Sequence, residues 1–273
     1  MFSRTGIITA LFAFALTSII FTGCKKKDDN PFFGPFPPAK AANPSPADTA
    51  TNVPVWTELD WSAASGTDTY DVYFGTNLTS VTNATTASAE FKDNVVEASF
   101  DPGDLECQTT YYWRIDSASN VATTTGDVWS FSTPGPIYVD DATGDDLNSG
   151  TSPASPLKTI QAGIDAAVEG TMVLVVPGTY SGASNINLDF AGKNIWLLNS
   201  LYQVPTASNP LIDCLSSGRA FYFHSGETRN SLVRRINITN GYLSDLNGGS
   251  ILIENSSNPT IRDCLITAST ASG

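Results

Sequence analysis

Between residues 43 and 134 the chain runs in short stretches where apolar and polar residues alternate, broken by turn residues: TELDWSA, TYDVYFGT, ASFDP, TYYWRIDSAS and DVWSFST. A period of two sends successive side chains to opposite faces of a strand. Tyr111, Trp113 and Ile115 therefore share one face, with Tyr112 and Arg114 on the other. Leu59 pairs with Trp61 in the same way, and Trp129 with Phe131. Short alternating strands separated by turns predict a β-sandwich. Trp61, Trp113 and Trp129 fall on the predicted core face. Tyr73 and Tyr112 lie on the opposite phase and are candidates for a ligand-facing surface.

The pattern changes at residue 137. Ile137 to Val139 reads as a strand, followed by a polar loop carrying Asp141, Asp145, Asp146, Asn148 and Gly150. Pro156 and Thr159 mark a helix start, and Ile160, Ile164 and Ala167-Val168 recur at helical spacing as one apolar stripe, which Gly170 ends. Met172 to Val176 is a continuous apolar run of the fully buried type, closed by Pro177-Gly178. NIWLLNS, LIDC, AFYF and SILIENSS supply further strands.

An internal echo orders this half. VRRINITN from Val233 lies over IRDCLITA from Ile261, so Val233 meets Ile261, Ile236 meets Cys264, Ile238 meets Ile266 and Thr239 meets Thr267. Cys214, in LIDC, sits one turn before Ile236 and echoes the IRDC of Cys264. Intervals of this size suit stacked turns, each of which buries its inward face only against a neighbour. Arg234-Arg235 and Arg262-Asp263 break the alternation and mark a bend. The register sets Arg235 over Asp263, a surface ion pair, and Arg234 over Arg262, an anion site. Thr260 to Ile266 reads as a last strand with a bare pairing edge, which predicts that the coil continues beyond Gly273, the rival being a short solenoid capped by a partner.

The N-terminus differs again. Arg4 precedes an uncharged apolar run from Gly6 to Phe21, short for a membrane span, which ends at Thr22-Gly23-Cys24. This resembles a bacterial lipoprotein signal and implies lipidation at Cys24, with Phe21 standing where Leu is usual. The following CKKKDDN resembles the export tract of surface lipoproteins. Prolines between Pro31 and Pro46 favour an extended tether. The expected organisation is signal peptide 1–23, tether 24–42, sandwich 43–134 and solenoid 137–273.

Two further resemblances name the folds. Leu105 and Tyr111 in LECQTTYYWRI carry the spacing of the fibronectin type III corner, which implies that the Tyr111 hydroxyl bonds back near Leu105; Cys107 stands where that family has Pro. The order strand, loop, helix, strand, PGTY resembles the start of bacterial right-handed parallel β-helix, pectin-lyase-like proteins, in which the helix caps the coil. The expected fold class is all-β: a fibronectin type III-like β-sandwich plus the N-terminal cap and first rungs of a right-handed parallel β-helix.

Charge and chemistry narrow the function. A formal net charge of -13 argues against a nucleic-acid partner. Cys107, Cys214 and Cys264 lack metal-ligand spacing, and His224 is the chain's single histidine, so a zinc site is not expected. Asp141, Asp145, Asp146 and Asn148 offer oxygen ligands for Ca2+, without EF-hand spacing; as turn residues they need no metal. The expected role is a lipid-anchored protein of the bacterial cell envelope that contacts polysaccharide or surface glycan without catalysis. Tyr73, Tyr112, Arg234 and Arg262 are the candidate ligand surface. The alternative is a polysaccharide lyase or glycoside hydrolase whose active rungs lie beyond Gly273; Arg234, Arg235, Arg262, Asp213 and Asp263 are the visible candidates for a lyase, while the visible rungs are poor in the carboxylates a hydrolase needs.

Overall fold

A computed structural model describes residues 36–244 and 248–272. The signal segment, Cys24 and the first part of the tether lie outside the described residues. The last tether residues already join the fold: Ala41 is buried, and the Ala39 amide donates to the Ser65 carbonyl at 2.9 Å.

The first half is an antiparallel sandwich. One sheet orders Ala42–Ser45, Leu59–Ser62 and Ser99–Phe100. The other orders Phe91–Val95, Thr69–Gly75, Thr110–Ala118 and Thr123–Thr124, with Val128–Ser132 also paired to Thr110–Ala118. Leu59, Trp61, Val72, Trp113, Ile115, Trp129 and Phe131 fill the space between them, with Trp113 edge-on to Trp129 at 4.8 Å. The period-two reading of the three tryptophans therefore holds. Three strands were invisible to it, among them the two-residue Thr123–Thr124. Ala42–Ser45 lies in the proline-rich stretch, and Phe91–Val95 is a mostly exposed strand whose FKDNV sequence carries no alternating apolar signal.

The outer face of the second sheet is covered, which corrects the reading of Tyr73. A short helix, Leu78–Thr82, is capped by Asn77, whose side chain accepts from the Ser80 amide. It lays Val81 and Ala84 over Tyr73, which is only 3% exposed and packs against Phe91. Tyr112 packs against the same small cluster. The Arg114 guanidinium lies 4.2 Å from the Tyr73 ring centroid and donates to the carbonyls of Val81, Thr82 and Ala84. Asp116 neutralises it at 2.9 Å within the same buried environment. Alternation located the two faces correctly, but the short polar helix that buries the second face has no hydrophobic period.

The second half is a parallel solenoid. Its first sheet stacks Ile137–Val139, Met172–Val175, Trp196–Asn199, Leu232–Arg234 and Thr260–Arg262. A second stacks Thr179–Ser181, Leu211–Asp213, Asn237–Thr239 and Ile266–Thr267. A third pairs Phe221–Phe223 with Ile251–Ile253. Val233 on Ile261, Ile238 on Ile266 and Thr239 on Thr267 are the pairs the echo predicts. Two readings change. Asp213 pairs with Thr239 and the Cys214 amide donates to the Thr239 carbonyl, so LIDC stacks on NITN and its likeness to IRDC is not a structural register. The segment from Thr260 to Ile266 is two strands, because Asp263 has φ 57°. Arg235, the residue above it, also has φ 57°, which is the predicted bend. A positive φ is disfavoured for residues with a Cβ, so the corner recurs at the same step of successive turns despite a local cost.

Inside the coil, Val173, Leu197, Ile212, Val233, Ile236 and Ile238 stack in an apolar core, and Cys214 is buried among them. Phe190 meets Phe223 edge-on at 5.0 Å, and Phe221 stacks on Phe223 at 5.8 Å. The helix Ile160–Ala166 closes the first turn with Ile160 and Ile164 inward, and Thr159 caps it by accepting from the Ala162 amide. Val168 lies past the helix and is exposed, so the apolar stripe ends at Ala167.

The two halves share apolar contacts. Met172 and Leu198 join the hydrophobic cluster of the sandwich, and Trp56 stacks on Trp196 at 5.4 Å. Gly170 has φ 81°, and a Cβ there would come 2.6 Å from Pro54 Cα. Only glycine allows both the left-handed backbone and this close approach.

Candidate functional site

Beside this junction a groove of about 410 Å3 opens between sandwich and solenoid. Its floor is aromatic and apolar: Trp56, Leu105, Met172, Trp196, Leu198 and Tyr202. Its solenoid side carries Arg229, Arg234 and Arg262, and its sandwich side Asp104 and Glu106.

Each wall has a local cause. The sandwich wall is set by the corner tyrosine: the Tyr111 hydroxyl accepts from the Glu106 amide at 2.8 Å, and the Leu105 amide donates to the Val55 carbonyl at 2.7 Å. Leu105 turns inward while Asp104 and Glu106 on either side stay exposed. This is the bond that the fibronectin-like spacing implies. The arginine wall comes from parallel register, which puts Arg234 directly beside Arg262 on adjacent strands.

The predicted pairing of Arg235 with Asp263 is replaced by another. Asp263 Oδ2 lies 3.1 Å from Arg234 Nε and 3.6 Å from Arg262 Nε, so one carboxylate sits between two guanidinium groups. Arg235 instead turns into the protein and is buried. It donates to the carbonyls of Leu201, Tyr202, Val204, Pro205 and Ala207 and to the side chain of Asn209. A guanidinium supplies five donors in a fixed fork, and here they gather one loop that has no sheet partners of its own. That loop carries Tyr202 and Gln203 to the groove. Burial pushes the Tyr202 phenol above its ordinary range; the Gln203 hydrogen bond opposes this, and the negative field of Glu106, Cys107 and Asp104 adds to it.

The other predicted site residues are placed differently. Asp146 accepts from the Lys158 and Thr159 amides and the Thr159 hydroxyl, which anchors the start of the cap helix. Asp145 accepts from the Leu147 amide, and Asn148 donates to the Pro156 carbonyl. The Asp141 amide points at the Tyr180 hydroxyl. The Asp145 and Asp146 oxygens serve a turn and a cap, and among the described residues no three of His, Cys, Asp and Glu converge as a metal site. His224 Nε2 lies 3.3 Å from Asp189 Oδ2, and its ring packs on Tyr222. Asp213 accepts from the Leu215 amide and the Asn240 side chain and plays a turn role.

Of the four predicted ligand-surface residues, the groove contains Arg234 and Arg262, while Tyr73 and Tyr112 belong to the packed outer face of the sandwich. Trp56, Trp196, Tyr202, Arg229, Asp104 and Glu106 were missed. Trp196 alone left a signal: in NIWLLNS it occupies the phase opposite to the inward Leu197, a large aromatic on the outer face of a buried strand.

The fold is thus a fibronectin type III-like sandwich continued by a parallel β-helix, joined at an aromatic groove. The chain is similar to a protein family described as a protein of unknown function, DUF1565, whose model matches residues 142–273. Among solved structures it is similar to an FN3tt mutant at 13% identity, covering 36% of this chain and 94% of that one with a TM-score of 0.25. It is also similar to the Yersinia enterocolitica family 28 exopolygalacturonase at 12% identity, covering 74% of this chain with a TM-score of 0.29. The match spans only 42% of the exopolygalacturonase. No curated protein matches.

Proposed function

We propose that this is an exported, lipid-anchored protein of the bacterial cell envelope that binds polysaccharide in the groove between sandwich and solenoid without cleaving it. The observation that carries the reading is the groove itself, where aromatic rings from Trp56, Trp196 and Tyr202 sit beside charged and amide side chains. Sugar rings have apolar faces edged by hydroxyls, so an aromatic surface flanked by polar groups complements them. Lipidation at Cys24 would hold the groove at the membrane surface, since several acyl chains on one residue anchor firmly. The charge arrangement supports a binding role: Asp263 occupies the space between Arg234 and Arg262, and the groove's own carboxylates, Asp104 and Glu106, both lie on one corner of the sandwich.

A glycan array probed with the full chain tests this. Binding to a defined set of polysaccharides is expected, with no release of reducing ends or unsaturated products. Tyr202→Ala should weaken binding about tenfold, the scale of one lost aromatic contact. Absence of any bound glycan, or binding that ignores Tyr202, would refute the groove reading; turnover would replace it with the enzyme reading.

A further inference from the structure

We infer that the groove selects a zwitterionic glycan, one whose repeat bears both an ammonium and a carboxylate or other acidic group. This rests on the groove being the polysaccharide site. The basis is the sorting of charge between its walls. Arg229, Arg234 and Arg262 all project from the solenoid, three of only seven arginines in a chain of net charge -13. Asp104 and Glu106 both project from the sandwich.

These charges are largely left open. Among the described residues, the side chains of Asp104, Glu106 and Arg229 make no hydrogen bond or ion pair, and Arg262 has only the longer contact to Asp263 at 3.6 Å. All four of these residues are exposed. Among the described residues no ion pair joins Asp104 or Glu106 to Arg229, Arg234 or Arg262 across the groove. Oppositely charged groups this close to an apolar floor gain most from a ligand that brings the complementary charge to each.

The alternatives fit less well. A neutral glycan leaves both walls unpaired. A polyanion meets the arginines but faces Asp104 and Glu106, and it must also approach a strongly acidic molecule against the long-range field. A zwitterionic repeat carries no net charge, so it avoids that repulsion. It can lay its acid on Arg229 and Arg262 and its ammonium on Asp104 and Glu106, with a sugar face on Tyr202.

The test is calorimetric titration of the full chain with one zwitterionic oligosaccharide, an amino sugar alternating with a uronate, in three matched forms: native, N-acetylated and carboxyl-reduced. The native form is expected to bind tightest, with each modification costing about tenfold, the scale of one interfacial charge pair. Asp104→Asn with Glu106→Gln should erase the difference between native and N-acetylated forms, and Arg229→Gln with Arg262→Gln the difference between native and carboxyl-reduced forms. These exposed substitutions leave the apolar packing intact, which an unchanged melting temperature verifies. Equal binding of the three forms would overturn the inference, as would tightest binding of the N-acetylated polyanion, or capture of a zwitterionic peptide in preference to the glycan. If all three forms bind equally but Tyr202→Ala still weakens them, the charge selection falls and the groove stands. If Tyr202→Ala changes nothing, the groove itself falls.

Discussion

Phe221→Ala is expected to destabilise the protein by about 3–5 kcal/mol, the usual cost of removing a fully buried phenylalanine. Phe221 is fully buried, stacks on Phe223 at 5.8 Å and meets Phe190 at 6.4 Å. It also holds two rungs together, pairing with Ile251 in the third sheet and bridging Leu188 on the turn before. Its loss leaves a cavity that stacked backbone cannot easily collapse, because every strand around it is hydrogen-bonded on a fixed spacing. Urea denaturation should show a lower midpoint with unchanged slope. Ile266→Ala is the control. Ile266 pairs with Ile238 in the second sheet but is 45% exposed, and its truncation should cost much less.

Asp116→Ala should cost a similar amount, about 3–5 kcal/mol, because it strands a buried guanidinium without its counter-charge. Both partners are almost wholly buried, at 4% and 7% side-chain exposure. Asp116 makes two contacts to Arg114 and also accepts from the Gly126 amide at 2.9 Å. Gly126 lies tight against the neighbouring strand, where a Cβ would come 2.1 Å from the Ile115 carbonyl. Asp116→Asn keeps shape and one acceptor and should lose distinctly less. Thermal and urea unfolding of the two variants, compared with wild type, give the ordering. Equal losses would mean that packing rather than charge holds Arg114.

How much of this was legible in the sequence follows from the range of each interaction. Alternation found the sandwich core, since Trp61, Trp113 and Trp129 obey a local period of two. The 28-residue echo found the solenoid register because Thr239 and Thr267 repeat a local pattern at that separation. Tyr73 was misread because its cover combines the nearby Leu78–Thr82 helix, too short and polar to show a hydrophobic period, with Arg114, which comes from a strand distant in sequence. Arg235 was misread because a left-handed corner turns it away from the rung face, and nothing in VRRINITN distinguishes the direction of its side chain from that of Arg234. The groove was hardest of all. Asp104 and Arg262 become neighbours of one cavity only after two domains dock, and docking rests on Trp56 with Trp196 and on the absence of a side chain at Gly170. Arg234 and Arg262 were nevertheless recognisable, because parallel stacking makes their juxtaposition a matter of repeat length.

The central claim is that sandwich and solenoid form one body through that junction, since the groove exists only if they do. Backbone hydrogen exchange can be read separately in a sandwich strand such as Thr110–Ala118 and in a solenoid strand such as Trp196–Asn199 during one urea titration. The account predicts coincident transitions in the wild-type chain, and separated transitions once Gly170→Ala drives a Cβ into Pro54. Separate transitions already in the wild-type chain would show two independent domains and contradict it.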